Sequence, residues 1–348
     1  MPTSTSTGKR NMNLIASVSR SSGLERGGDD LKVYAIQEEY RAFIQGKVGI
    51  MFFAVPYIIY LLQAESNSSG KLREGISASK RSDAFAIEAY ETSLFLAVIS
   101  GNHRRISPIV SQITPELYTE IKGPHPNAAL AFTIALLYHL ATSFPSQAVF
   151  QQQLALFQQG SSSLLPPDSS EYTWIRSLAA SLRQMNIARF GRLATPPAIP
   201  LSFSEESDEL SRALADLSLG ERKLQNPTVP RSSRALAENA LHTALDMLRE
   251  KVREHAWDVL RAAYKELSST ADGAPWLARS LVLDVEPHSK DEKPHSEDGN
   301  PHSKDGKPDS EDAYSSPEDL THWLEGQAQL GRVKRKVGVE GRWLVCKT

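Results

Sequence analysis

The side chains of this chain best suited to chemistry are the cations near its end. Arg332, Lys334, Arg335, Lys336, Arg342 and Lys347 stand against Glu340 alone between positions 332 and 348, a net of +5. The run RVKRKVGVEGRWLVCK predicts two short strands around a turn at Gly338 to Gly341, so the cations decorate a hairpin. Such a hairpin suits a phosphate backbone, where counterion release makes binding salt-dependent. A solvated face and a surface that meets another subunit are the competing readings. His288, His295 and His302 recur every seven residues, but in a stretch with nothing to fix a ligand geometry, which favours a solvated repeat over a metal site. His242 and His255 read as packing or surface groups on a helix. Cys346 is the single cysteine; it excludes an internal disulfide framework and suits a reducing compartment. There is no Gly-rich phosphate loop after a strand, no zinc-spaced Cys or His pair and no nucleophile elbow. Paired carboxylates fall mostly in flexible stretches that do not preorganise a reaction. The expectation is a protein that is not an enzyme and carries no cofactor and no metal.

The element that must position the hairpin is a long helix over Ser232 to Leu267. Leu241, Leu245, Leu248, Val252, Ala256, Val259, Ala263 and Leu267 recur at steps of three and four, which places them on one face. Asp246 with Arg249, Glu250 with Arg253 and Asp258 with Arg261 sit three apart on the other face, as weak surface pairs of about 0.2 to 0.5 kcal/mol each. Pro230 and Ser232 or Ser233 mark a start, and the Ser-Ser-Thr run before Gly273 a stop. After it, Pro275 to Asp284 predicts a short helix with Leu277 and Leu281 buried. SPEDLTHWLEGQ predicts another, capped by Ser316 with Pro317 at its first position. Helix, helix, helix and hairpin in that order predict a winged helix.

Upstream, 348 residues suffice for two domains. Met1 to Gly28 is rich in Ser, Thr, Gly and Arg and has no adequate apolar stretch for a secretory signal. Leu31 to Gln63 predicts two helices. The run from Val48 to Leu62 is apolar but contains Pro56 and is shorter than the roughly 18 to 20 residues a spanning helix needs, which predicts a buried, Pro-kinked helix and no membrane partner. The Asn67 sequon then has no use. Glu65 to Gly75 predicts a linker. Further helices are predicted at Asp83 to Ile99, Asn102 to Tyr118 (broken by Pro108 and Pro115), Asn127 to Ser143, Gln147 to Gln159 and Tyr172 to Leu193. In the last of these, Trp174, Leu178, Leu182, Met185, Phe190 and Leu193 mark the buried side. No alternating strand precedes residue 330, so the body is expected to be all helical, in antiparallel pairs.

Two segments depart from that pattern. Thr195 to Arg231 is rich in Pro and Ser and predicts a flexible linker. From Glu286 a seven-residue unit repeats as EPHSKDE, KPHSEDG, NPHSKDG and KPDSEDA; with nothing apolar to bury it is expected to be disordered. Positions 284 to 319 hold 12 acidic and 4 basic side chains, a net of −8 against −2 for the whole chain. Tethered beside the cationic hairpin, this acidic repeat is a candidate mask for it, and phosphorylation of Ser296 or Ser310 would deepen the negative charge. The expected domains are a disordered leader at 1–30, a helical-repeat domain at 31–194, a flexible linker at 195–231, and a long helix with a winged helix at 232–348, interrupted by the repeat at 286–314.

Stacked helical pairs that run through a long helix into a winged helix resemble the PCI domain. That module is shared by the proteasome lid, the signalosome, translation initiation factor three and the GANP-type mRNA-export scaffolds. FAIEAYETSLFLAVISGNHRRISPIVSQITPELY resembles the helical pair that ends in Leu-Tyr in GANP-type proteins, and AFTIALLYHLATS resembles their next helix. SLRQMNIARFGRL is similar to the family's turn leading to Arg-Phe. REKVREHAWDVLRAAYKEL followed by WLARSLVLD is similar to the start of their winged helix. The resemblance covers Asp30 to Lys347 and fits the small lid and signalosome subunits nearly as well; the long loops at Thr195 to Arg231 and Glu286 to Tyr314 depart from both. It implies a non-catalytic, intracellular scaffold subunit, GANP-like, in nuclear mRNA export or transcription-coupled RNA processing. The alternatives are a proteasome-lid, signalosome or initiation-factor subunit, in the nucleus or cytoplasm, and a free-standing winged-helix protein that binds nucleic acid. The implied partners are other subunits of a PCI-containing complex, and RNA through the hairpin.

Overall fold

The computed structural model describes residues 11–18, 30–51, 58–113, 117–118, 125–158, 165–200, 231–283 and 317–346. Most of the leader, Pro56, the linker from 201 to 230, the acidic repeat and Lys347 therefore lie outside the described residues. The described chain is predominantly α-helical, with three short strands. It divides into two compact units, Met1–Ala180 with Pro196–Leu248, and Ser181–Thr195 with Arg249–Thr348. Two of the three divisions fall inside helices, and the third, between Thr195 and Pro196, follows the helix that ends at Leu193.

In the first unit, α1 (Tyr34–Met51), α2 (Ile58–Ser79), α3 (Ala84–Ile99) and α4 (His103–Val110) pack as successive neighbours, and α5 (Ala128–Ser143) packs on α6 (Ala148–Gln158) and α3. Both α3 and α5 are apolar around nearly their whole circumference, the mark of an interior helix, and twelve residues of each are buried. Asp83 starts α3 by accepting a hydrogen bond from the Ala86 N–H at 3.1 Å. Gly101, at a φ of +64°, ends it. Arg81 pins α1 to the α2–α3 junction: it pairs with Asp83 at 2.8 Å and Glu38 at 2.9 Å and stacks over Phe85.

The expected linker at Glu65 to Gly75 is instead the middle of α2. Its small residues serve close packing. Ser69 is buried and hydrogen-bonds to Ser93 of α3. A Cβ on Gly75 would lie 2.5 Å from the Leu31 carbonyl oxygen, a contact only glycine permits. No described helix is long and apolar enough to cross a membrane.

The helix expected over Tyr172 to Leu193 is two helices, α7 (Ser170–Arg183) and α8 (Ile187–Leu193). Met185 takes a φ of +52° between them and is 41% exposed. Asn186 then caps α8 by accepting from the Arg189 N–H at 3.0 Å, so a cap outcompetes helix continuation here.

Besides the end of α7 and α8, the second unit comprises the latter part of α9 (Arg231–Ala263), β1 (Glu266–Ser268), α10 (Ala274–Ser280), α11 (Pro317–Gln329), β2 (Val333–Arg335) and β3 (Arg342–Val345). The strands form one antiparallel sheet in the order β1-β3-β2, with Leu267 opposite Trp343 and Val333 opposite Val345. Leu267 is thus a strand residue where the periodicity placed it on the helix. The three-residue strand carries too little alternation to announce itself, and its partner β3 is remote in sequence. The buried stripe also rotates: Val259 is 52% exposed and Ala263 is exposed, while Trp257 and Leu260 face inward. They join Leu277, Leu281, Leu324 and Trp343 in one apolar core, where Trp257 meets Trp323 edge-on at 5.0 Å.

The charged side of α9 does more than pair with itself. Arg253 pairs with Glu250 at 2.8 Å, as its spacing predicts. Arg253 also donates to the Leu281 and Val282 carbonyls after α10, Arg261 donates to the Cys346 carbonyl at 3.1 Å, and Arg249 donates to the Ala194 carbonyl after α8. These guanidinium groups satisfy the carbonyls that helix ends and strand ends leave open.

Candidate nucleic-acid or partner interface

The hairpin forms as its sequence predicts, because Gly338 at φ +80° and Gly341 at φ +69° accept backbone angles that other residues resist. Gly341 is doubly required, since a Cβ there would lie 2.8 Å from Thr270. Strand alternation sends Val333 and Trp343 into the core. It leaves Glu266, Leu344 and Lys334 aligned across the other face of the sheet.

Each cation has a definable place. Lys336 pairs with Glu266 of β1 at 2.9 Å, and Arg342 lies 3.6 Å from the other oxygen of the same carboxylate. Arg335 pairs with Glu325 of α11 and lies over the Trp343 ring. Arg332 donates to the side-chain oxygen of Gln327 at 3.2 Å. Lys334 is exposed and makes no hydrogen bond or ion pair among the described residues. Lys347, the sixth cation of the set, lies outside them.

Electrostatically, Glu266 and Glu325 offset part of the five described positive charges, and Glu340 adds a third acid in the turn. Exposed pairs of this kind contribute little to stability, but they reduce the outward field that a polyanion would feel. An open cleft of about 810 Å³ runs beside the turn, lined by Ser269, Thr270, Thr321, Arg335, Arg342 and Trp343. The Trp343 indole N–H donates to the Ser269 hydroxyl at 3.0 Å, so that side chain is committed to the fold. What remains exposed is a mixed surface: Leu344, Val339 and Val337 beside Lys334, Lys336 and Arg342.

The helix that precedes the hairpin bears on what this surface can contact. That helix is α11, whose sequence PEDLTHWLEGQAQ holds Glu318, Asp319 and Glu325 and no Lys or Arg. Such a helix repels a phosphate backbone.

Elsewhere, the first unit buries a carboxyl group that the sequence reading did not single out. Glu91 of α3 is 5% exposed and accepts a hydrogen bond from the Tyr118 hydroxyl at 3.0 Å. Burial raises its pKa to about 7, against the opposing effect of the Tyr118 hydrogen bond. Burial likewise pushes the Tyr118 hydroxyl well above its ordinary value, with the Glu91 carboxylate acting in the same direction. The signal that could have found Glu91 is an acid standing inside the nearly unbroken apolar helix DAFAIEAYETSLFLAVI.

The sequence set was therefore assembled by the structure in part. Arg332, Lys334, Arg335, Lys336 and Arg342 share one hairpin and its edges, while the counter-charges Glu266 and Glu325 come from 66 and 7 residues upstream of Arg332. No protein-family model matches this chain, and no curated protein matches it significantly.

Proposed function

We propose that this chain is a non-catalytic scaffold subunit of PCI type, with a winged helix as its C-terminal unit, and that the hairpin surface meets a protein partner. The observation that carries the reading is the order of elements in the second unit: the end of a 33-residue helix, a strand, two helices and a hairpin whose strand β3 lies between β1 and β2. That order supports the winged-helix reading of this unit, and the successive helical neighbours of the first unit support the PCI reading.

Among PCI branches, the quoted blocks favour a GANP-like subunit in nuclear mRNA export or transcription-coupled RNA processing. A lid, signalosome or initiation-factor subunit is the second branch. The acidic α11 and the carboxylates that engage Lys336, Arg342 and Arg335 favour a protein partner over free-standing nucleic-acid binding. The test is a gentle purification from native cells with and without RNase, followed by identification of what copurifies. Export or transcription factors support the GANP-like branch; proteasome, signalosome or initiation subunits move the chain to the other. RNA recovered without a stoichiometric protein overturns the scaffold.

A further inference from the structure

A second cationic feature lies in the first unit, far in sequence from the hairpin. An open cleft of about 1000 Å³ is bounded by α2, the start of α4 and residues 17 and 18, and its lining includes Lys71, Arg73, Arg105 and Glu74. Arg73 makes no hydrogen bond or ion pair to any described residue, and its Nε is enclosed without an acceptor. Arg105 donates to the Asn67 side chain at the cleft wall. Lys71 donates to the Ile15 carbonyl at 2.7 Å.

Gly70 shows how close the two guanidinium groups come. A Cβ placed on it would lie 3.9 Å from Nη2 of Arg73 and 4.0 Å from Nη1 of Arg105. Both groups thus converge on the space above one glycine, with those nitrogens under 8 Å apart. Charge-assisted N–H···O bonds are about 2.7 to 2.9 Å long, and guanidinium groups bind oxyanions through planar, paired donors. Two guanidinium groups at this spacing can hold one tetrahedral oxyanion between them.

We propose that this cleft binds the phosphate group of a small molecule, held between Arg73 and Arg105 above Gly70. Burial lowers the pKa of Arg73, and the charge of Arg105 acts in the same direction while Tyr90 and Glu74 oppose it. An oxyanion between the two would reverse that balance. Ser77, Tyr90 and Gln112 line the remainder of the cleft, which leaves room and polar partners for an organic portion bearing hydroxyl groups. The inference does not depend on the PCI reading.

The experiment is calorimetric titration and thermal denaturation of the full chain with inorganic phosphate, ribose 5-phosphate and sulfate at matched ionic strength. Saturable binding of either phosphate probe, lost at least tenfold in Arg73→Met and in Arg105→Gln, is expected. A phosphate ester that binds tighter than inorganic phosphate identifies an organic ligand; the reverse order identifies the free anion. Without ligand, Arg73→Met should melt no lower than the wild type, because it removes a guanidinium whose Nε is enclosed without an acceptor. Gly70→Ala adds only an ordinary van der Waals contact, so it should fold, yet its methyl group narrows the space between the guanidiniums and should weaken binding. Absence of saturable binding, or equal stabilisation of wild type, Gly70→Ala and both arginine variants by phosphate and sulfate alike, overturns the proposal.

Discussion

Arg253 donates from Nη2 to the carbonyl oxygen of Val282 at 2.9 Å, and Val282 is held at a φ of +51°. The left-handed region costs a residue with a Cβ roughly 1 to 2 kcal/mol, and a β-branched residue there is unusual. Val282 occupies the place that glycine usually takes after a helix: the Leu283 N–H reaches back to the Ala278 carbonyl at 3.1 Å, closing α10. Valine is retained at a buried position, 6% exposed, and Arg253 secures both carbonyls of the turn, the second being that of Leu281 at 2.9 Å. Arg253→Met should therefore destabilise the second unit by roughly 1.5 to 3 kcal/mol, the range for hydrogen bonds to charged groups. Arg253→Lys should recover only part of this, because an ammonium does not reproduce the guanidinium fork. Urea denaturation followed by tryptophan fluorescence checks it; a lysine variant as stable as wild type would show that charge alone suffices.

Gly75 tests the reading of α2 as a packed helix. Alanine is the better helix former by about 1 kcal/mol, so an exposed linker or solvent-facing helix would gain from Gly75→Ala. With a Cβ 2.5 Å from the Leu31 oxygen and 2.8 Å from its Cβ, the substitution should instead cost about 1 to 3 kcal/mol. A rise in melting temperature would contradict the close approach of the two segments.

Glu91 gives the first unit a pH dependence of defined sign. Its folded pKa of about 7 lies above the ordinary 4.5, so between those values the folded protein holds a proton that the unfolded chain releases. The stabilisation is complete below about pH 4.5 and declines as pH rises through 7, by about 3 kcal/mol at 1.36 kcal/mol per unit. Glu91→Gln keeps an acceptor for Tyr118 and removes the titration. Relative to wild type, the variant should gain stability from about pH 4.5 to about pH 7 and level off above it. A stability difference independent of pH would mean that Glu91 is already ionised in the fold.

The carboxylate of Glu266 restrains the hairpin cations. Wild type should bind single-stranded RNA only in the non-specific range, with a Kd no tighter than about 10⁻⁶ M at physiological salt. Glu266→Gln frees Lys336 and Arg342 and should tighten binding several-fold at low salt, with a steeper dependence on salt. Fluorescence anisotropy across a salt series measures both. Submicromolar binding by wild type, unchanged in the variant, would favour nucleic acid as the partner.

What the sequence disclosed follows from where its physics is local. The apolar continuity of α3 and α5 depends on neighbours in the chain, and those helices lie within a residue of their expected bounds. Gly338 and Gly341 likewise announce a turn by themselves. The failures depend on partners distant in sequence. Ser69 and Gly75 read as linker residues until α3 and Leu31 are set against them, and Leu267 reads as helix until Trp343 pairs with it. Met185 continues a helical pattern that Asn186 ends. For the hairpin, its cations were legible from composition, but not Glu266 and Glu325, because charge pairing across the sheet and from α11 has no signature in spacing. Arg73 and Arg105 were missed for the same reason: they lie on different helices and only Gly70 of α2 reveals their approach.

The most direct test of the scaffold reading is the native mass of the protein in a cell extract, followed by sedimentation with and without RNase. A chain of 38.4 kDa that works as a subunit should sediment in an assembly several times its own mass, and that assembly should persist when RNA is digested. Sedimentation at the mass of the single chain, or a heavy form that collapses on RNase treatment, would contradict it.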